Sequence, residues 1–128
     1  EVARVLKPGG SLLVQDILGH EDREMAAFIL EVEKRRDPSH VRSLPQREWV
    51  AFLKAAGLTV IDEGMLSKVR KWDEWTERMR MGAEAKADLE RHVLEAPARC
   101  RDAFGFKVEH GRIESFTDRM ILLRADRD

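Results

Sequence analysis

The sequence has little cysteine and no long hydrophobic run. Its single cysteine, Cys100, excludes an internal disulfide and is typical of a protein kept in a reducing compartment. No apolar stretch approaches the roughly 18 residues that a membrane-spanning helix needs, and no signal peptide is visible. We therefore expect a cytoplasmic protein that has no membrane partner.

Neither sign of charge dominates, since 23 Lys and Arg residues face 24 Asp and Glu residues and the formal net charge is −1. The longest basic runs are Lys34-Arg35-Arg36 and Arg70-Lys71, and both are typical of solvated helix ends. No single stretch is basic enough to predict binding to a phosphate backbone, so nucleic acid is not an expected partner.

The short motifs of metal sites and hydrolases are also absent. The segment His20-Glu21-Asp22-Arg23-Glu24 has a glutamate where a zinc-binding helix needs its second histidine. His92, Cys100 and His110 lack the spacing of metal ligands, and no serine lies in a G-x-S-x-G motif. The sequence therefore predicts no metal site and no serine nucleophile.

The start of the chain reads as a helix, a turn and a strand. Val2, Val5 and Leu6 have helical spacing, and Lys7-Pro8-Gly9-Gly10 ends the helix. The apolar run from Leu12 to Leu18 lacks clean alternation, which is typical of a strand covered on both faces. Because no initiator methionine or helix cap precedes these elements, we expect the chain to begin inside a larger α/β pattern.

Helices and strands alternate in the rest of the chain. The apolar spacing predicts helices over 22–36 and 45–56, a strand over 58–69, and a helical stretch over 72–93 that breaks near Gly82. A short helix over 97–104, strands over 106–109 and 112–116 around the turn His110-Gly111, and a last apolar strand over 120–123 follow. Alternating helices and strands favour an α/β sheet.

These residues and their order resemble the C-terminal half of a class I S-adenosylmethionine-dependent methyltransferase of the ubiquinone/menaquinone-biosynthesis type. Leu6-Lys7-Pro8-Gly9-Gly10 is similar to the turn before the family's fifth strand. Pro45 to Leu58 resembles the helix before its sixth strand, and Met120 to Arg124 resembles its seventh, antiparallel strand.

The resemblance implies an α/β fold, namely a partial Rossmann-like sheet of about three strands, the last antiparallel, with flanking helices. Residues 1–128 would then form a single partial domain, the C-terminal half of the methyltransferase fold. The stretch 70–105 carries no motif that matches the family, and we interpret it as a helical insertion that serves as a substrate lid.

The resemblance also implies S-adenosylmethionine as cofactor, although the family's main cofactor motif has no counterpart here. The family holds this cofactor by a glycine-rich loop after its first strand and an acidic residue after its second. The sequence contains no G-x-G motif, and Gly9-Gly10 precede a strand rather than follow one. No cofactor-binding residue is therefore carried over, and we expect that this chain alone neither binds the cofactor nor transfers a methyl group.

Three sets of side chains are candidates for contact with a small-molecule acceptor. Asp16 lies at the C-terminal end of the first strand, where open α/β sheets place their ligands, or else it caps a loop. His40 could act as a general base and Arg42 could hold an anionic group, unless both are ordinary loop residues. Trp72 and Trp75 contribute either to an apolar lid or to the core.

Two functions are compatible with these observations. The first is the acceptor-binding half of a small-molecule methyltransferase, and the second is a non-catalytic dimerisation or binding module with the same half-fold. In the family the first strand of this chain would pair with a preceding strand that the chain does not contain. Because an unpaired apolar edge favours association, we expect either a homodimer or a complex with the missing N-terminal half.

Overall fold

The computed structural model describes all residues from Glu1 to Asp128, which form two compact units. Unit 1 consists of Glu1–Gly19, Ser43–Ser67 and Arg119–Asp128, and unit 2 of His20–Arg42 and Lys68–Asp118. The elements are α1 (Val2–Val5), β1 (Ser11–Ile17), α2 (Arg23–Arg36), α3 (Gln46–Ala55), β2 (Leu58–Lys71), α4 (Trp72–Glu77), α5 (Ala83–Glu95), α6 (Ala98–Ala103), β3 (Lys107–Glu109) and β4 (Arg112–Arg127). No helix is both long enough and apolar enough to cross a membrane.

The sheet has four strands in the order β1-β4-β2, and the short β3 pairs with β4. β1 and β4 are antiparallel, in a register that runs from Ser11 opposite Asp126 to Ile17 opposite Met120. The predicted partial Rossmann-like sheet with an antiparallel last strand is therefore confirmed. β1 and β2 lie where the sequence predicted strands, and β3 comes from the predicted hairpin at His110-Gly111.

β4 is longer than the sequence pattern indicated. The apolar pattern predicted two strands, 112–116 and 120–123, but one strand runs continuously from Arg112 to Arg127. The polar residues Thr117, Asp118 and Arg119 interrupt the apolar pattern without interrupting the strand. Backbone pairing does not depend on side-chain polarity, and the N–H of Leu18 donates to the carbonyl of Arg119 at 2.8 Å.

The turn before β1 is tied to the end of β4. Gly9 has a φ of 74°, a conformation that favours glycine, and its N–H donates to the carbonyl of Arg127 at 2.8 Å. The N–H of Arg127 in turn donates to the carbonyl of Gly10 at 2.9 Å. The Arg127 side chain also donates to the carbonyl of Ala3 in α1 at 2.9 Å. The backbone bonds hold the turn against β4. The bond from the Arg127 side chain gives a partner to a carbonyl group of α1 near its C-terminal end, where carbonyl groups have none within the helix.

The core of unit 1 joins α3, β2 and β4. It consists of Leu53, Leu58, Ile121, Leu123 and Ala125, with the partly buried Trp49 and Val60 packed against it. Gly19, at the end of the first segment of unit 1, lies directly against the backbone of the second segment. A Cβ at Gly19 would lie 2.4 Å from the carbonyl oxygen of Ser43, so only glycine permits this backbone approach.

The core of unit 2 is rich in aromatic side chains. It consists of Ile29, Val32, Trp72, Trp75, Leu89, Val93, Phe106, Ile113 and Phe116. The helical stretch predicted over 72–93 is divided into α4 and α5, because Arg80 has a φ of 52° and Gly82 is the N-cap of α5. α4, α5 and α6 all belong to unit 2, and the lid function of 70–105 stays a prediction.

Candidate functional site

A histidine and a buried carboxylate meet at the C-terminal end of α2 in unit 2. The helix begins at Asp22, whose carboxylate accepts hydrogen bonds from the N–H groups of Met25 at 3.0 Å and Glu24 at 2.9 Å. These bonds hold the pKa of Asp22 below its ordinary value, the bond from Met25 having the larger effect. The helix then places Glu33 beside the core residue Val32, so that Glu33 is only 7% exposed.

The turn after α2 brings His40 back to Glu33. The N–H of His40 donates to the carbonyl of Asp37 at 3.0 Å, and the Asp37 carboxylate accepts from the Oγ of Ser39 at 2.6 Å and from its N–H at 3.0 Å. The two bonds from Ser39 lower the pKa of Asp37. As a result, Nε2 of His40 lies 2.8 Å from Oε2 of Glu33, and the His40 side chain is 26% exposed.

This pair has the chemistry of a general base held by a carboxylate. The Glu33 carboxylate lies within ion-pair distance of the imidazole and forms an ion pair with it when the ring is protonated. With Nε2 directed to Glu33, the other ring nitrogen, Nδ1, is the atom that can exchange a proton with a ligand. The sequence pointed to His40 but not to Glu33. A carboxylate beside the apolar stripe of α2 could have indicated the pair, because a buried charge is costly unless it has a partner.

Asp16 and Arg42 occupy separate places. Asp16 is exposed near the end of β1 in unit 1, and its Oδ1 accepts from the N–H of Ile17 at 2.7 Å. Arg42 is exposed at the end of the first segment of unit 2, two positions after His40. The structure thus places Arg42 in the same connector as His40, and the binding roles of Asp16 and Arg42 stay predictions.

Trp72 and Trp75 lie together in the core of unit 2. Their ring centroids are 5.5 Å apart, and Trp75 meets Phe116 edge to face at 4.8 Å. Trp72 is fully buried, whereas Trp75 also forms part of the wall of a small cavity. A ligand that entered this cavity would therefore meet Trp75 and not Trp72.

Comparison with solved structures gives two matches over nearly the whole chain. BH2331 of Bacillus halodurans, named as a methyltransferase, matches with a TM-score of 0.94 and 33% identity, over 98% of this chain and 59% of its own. YcgJ of Bacillus subtilis matches with a TM-score of 0.91 and 31% identity, over 98% of this chain and 54% of its own. The chain has a methyltransferase fold.

Sequence comparison gives the same relationship. YcgJ, which is named an uncharacterised methyltransferase, is 32% identical over 125 residues that make up 97% of this chain and 49% of YcgJ. The uncharacterised protein YafE of Escherichia coli is 39% identical over 83 residues, or 62% of this chain and 39% of YafE. No protein-family model matches the chain. The chain thus spans about half the length of these relatives or less.

The turn from β1 to α2 contains one glycine, Gly19, and the backbone of Ser43 and Leu44 already fills the space around it. The carboxylate near the end of β1, on Asp16, bonds to its own neighbour. No group of three or more His, Cys, Asp or Glu side chains could hold a metal ion.

Proposed function

We propose that this chain is the acceptor-binding part of an S-adenosylmethionine-dependent small-molecule methyltransferase. The observation that carries the proposal is the match to BH2331 and YcgJ over 98% of the chain. The absence of a G-x-G motif supports a methyl-donor site formed by residues other than these 128. The chain would therefore contribute the acceptor side of the reaction.

The His40–Glu33 pair would remove a proton from the acceptor. An acceptor that attacks through nitrogen or oxygen has to lose a proton, and a positioned histidine is the most common protein base for that step. His40 takes the proton at Nδ1, while Glu33 holds the ring and compensates the charge of the imidazolium. Arg42, in the same connector, would hold an anionic group of the acceptor.

Titration calorimetry of the chain with S-adenosylmethionine and S-adenosylhomocysteine tests this assignment. We expect no measurable heat of binding with the chain alone, and binding when the N-terminal part of YcgJ is added, because that part would bring the donor site. Micromolar binding by the chain alone would contradict the assignment of the donor site to other residues. No binding in either sample would favour the non-catalytic binding module.

Association is the second part of the proposal. Several apolar side chains on the strands of unit 1 are exposed, among them Leu13 at 76% and Met65 at 59%. Exposed apolar surface of this kind is typical of an interaction site, and YcgJ is about twice as long as the chain. We propose that the cofactor-binding part of a methyltransferase covers the surface around Leu13.

Light scattering measures this association directly. A mixture of the chain with the N-terminal part of YcgJ should give a one-to-one complex, and Leu13→Lys should abolish it because the ammonium group would be buried at the contact. Val41→Lys is the matched control, since Val41 is 78% exposed in unit 2. A chain that stays monomeric in the mixture would refute the proposal, and a homodimer that excludes the YcgJ part would favour the dimerisation module.

A further inference from the structure

A small cavity in unit 2 gathers positive charge that no single run of the sequence shows. Its volume is about 270 Å³, and it lies between the end of β2 and α4. Four cationic side chains and one carboxylate line it, together with Val69 and Trp75; the charged residues are Lys68, Arg70, Lys71, Arg78 and Glu74. Cations therefore outnumber carboxylates by a wide margin at this wall.

Two guanidinium groups are held in place here, that of Arg70, which lines the cavity, and that of Arg36, which lies over the ring of the lining residue Trp75. Nε of Arg70 donates to Oδ2 of Asp118 at 2.7 Å, and these side chains are 15% and 6% exposed. Nε of Arg36, from α2, donates to the carbonyl of Trp75 at 2.8 Å, and its Cζ lies 4.3 Å from the centroid of the Trp75 ring. Because these contacts are already formed, a ligand would not have to order either arginine on binding.

The cationic groups lie close enough for each positive charge to be destabilised by its neighbours. Burial lowers the pKa of Arg36, and the charges of Arg70 and Arg78 act in the same direction, although Asp37 and Asp118 oppose them. Each guanidinium has five N–H donors, and the Asp118 carboxylate engages Nε of Arg70. A bound anion would relieve the repulsion and accept hydrogen bonds from further donors.

We propose that this cavity binds the phosphate group of a phosphate monoester or a diphosphate. Guanidinium groups match phosphate oxygens in pairs, and Lys68 and Lys71 add two further positive charges. A dianionic phosphate compensates more of the cation excess than a single carboxylate would. The cavity is slightly smaller than the roughly 300–1,000 Å³ of drug-sized ligand pockets, which suits a phosphate group with few other atoms.

Calorimetric titration of the chain with inorganic phosphate, diphosphate and glycerol phosphate, at constant ionic strength set with NaCl, tests the proposal. We expect saturable one-to-one binding, tightest for diphosphate if two phosphate groups fit and for glycerol phosphate if an ester is preferred. The double variant Lys68→Gln/Arg78→Gln should weaken binding about tenfold or more, because each change removes a charge-assisted contact. Both side chains are exposed, so the variant should keep its fold.

Lys54→Gln is the matched control, since Lys54 is an exposed cation on α3 in unit 1. Binding that weakens equally in Lys54→Gln would show non-specific charge screening and overturn the proposal. Absence of saturable binding to all three anions and to phosphatidic acid vesicles would also overturn it. Binding to phosphatidic acid vesicles but not to glycerol phosphate or to phosphatidylcholine vesicles would support phosphate recognition and identify a lipid headgroup as its source.

Discussion

Replacing Trp72 by alanine is expected to lower the free energy of unfolding by about 3–5 kcal/mol, the usual cost of deleting a buried tryptophan side chain. Trp72 has no exposed surface, and its ring contacts Trp75 at 5.5 Å, Phe106 at 6.1 Å and Phe116 at 6.3 Å between centroids. The cavity left behind would be lined by rigid aromatic rings that cannot easily collapse into it. Urea unfolding followed by circular dichroism measures the change.

Two variants make this prediction specific. Trp72→Phe should cost less, because it retains most of the ring and removes an indole N–H that is buried without a hydrogen-bond partner. Val41→Ala, at an exposed position of the same unit, should change stability by no more than about 0.5 kcal/mol. A loss for Trp72→Ala as small as that for Val41→Ala would mean that the aromatic cluster does not stabilise unit 2.

Replacing His40 by asparagine is expected to lower the rate of methyl transfer by about 10²–10⁴-fold, the usual contribution of a general base. The prediction rests on the 2.8 Å distance between His40 Nε2 and Glu33 Oε2, which places a carboxylate beside the imidazole. The assay uses a chimaera in which this chain replaces the matching part of YcgJ, with release of S-adenosylhomocysteine as the readout over a screen of acceptors.

The matched control is His110→Asn, which makes the same change in the exposed turn between β3 and β4. His110 has a φ of 51°, a conformation that asparagine tolerates, so this variant should keep both fold and rate. Glu33→Gln should give a smaller loss of rate, because the base is present but lacks its carboxylate partner. Equal rates for His40→Asn and His110→Asn would exclude His40 as the base.

The elements that the sequence predicted correctly are those with a local physical cause. Pro8 and Gly9 end α1 and permit the turn before β1, and Asp22 caps α2 through its own side chain. The break at Gly82 follows from poor helix propensity close to a position with positive φ. None of these features depends on residues far away in the chain.

The predictions that were incomplete concern long-range contacts. β4 was predicted as two strands because Asp118 interrupts the apolar pattern, but Asp118 is buried and paired with Arg70, a residue of β2. In a sequence pattern, an aspartate that is buried and paired cannot be distinguished from an aspartate in a loop, because its partner is far away in the chain. For the same reason Glu33 was missed as the partner of His40, although His40 itself was a candidate.

The sequence by itself determined the order of helices and strands, the resemblance to methyltransferases and the candidates His40 and Trp75, because propensity, capping and apolar spacing act over a few residues. Only the tertiary structure decided which charges meet. It joined Glu33 to His40, buried Arg70 against Asp118, and placed Arg36, Lys68 and Arg78 around or beside the Trp75 wall of one cavity. Ion pairs and cavities depend on distances between residues that are far apart in the chain, and the folded backbone alone sets those distances.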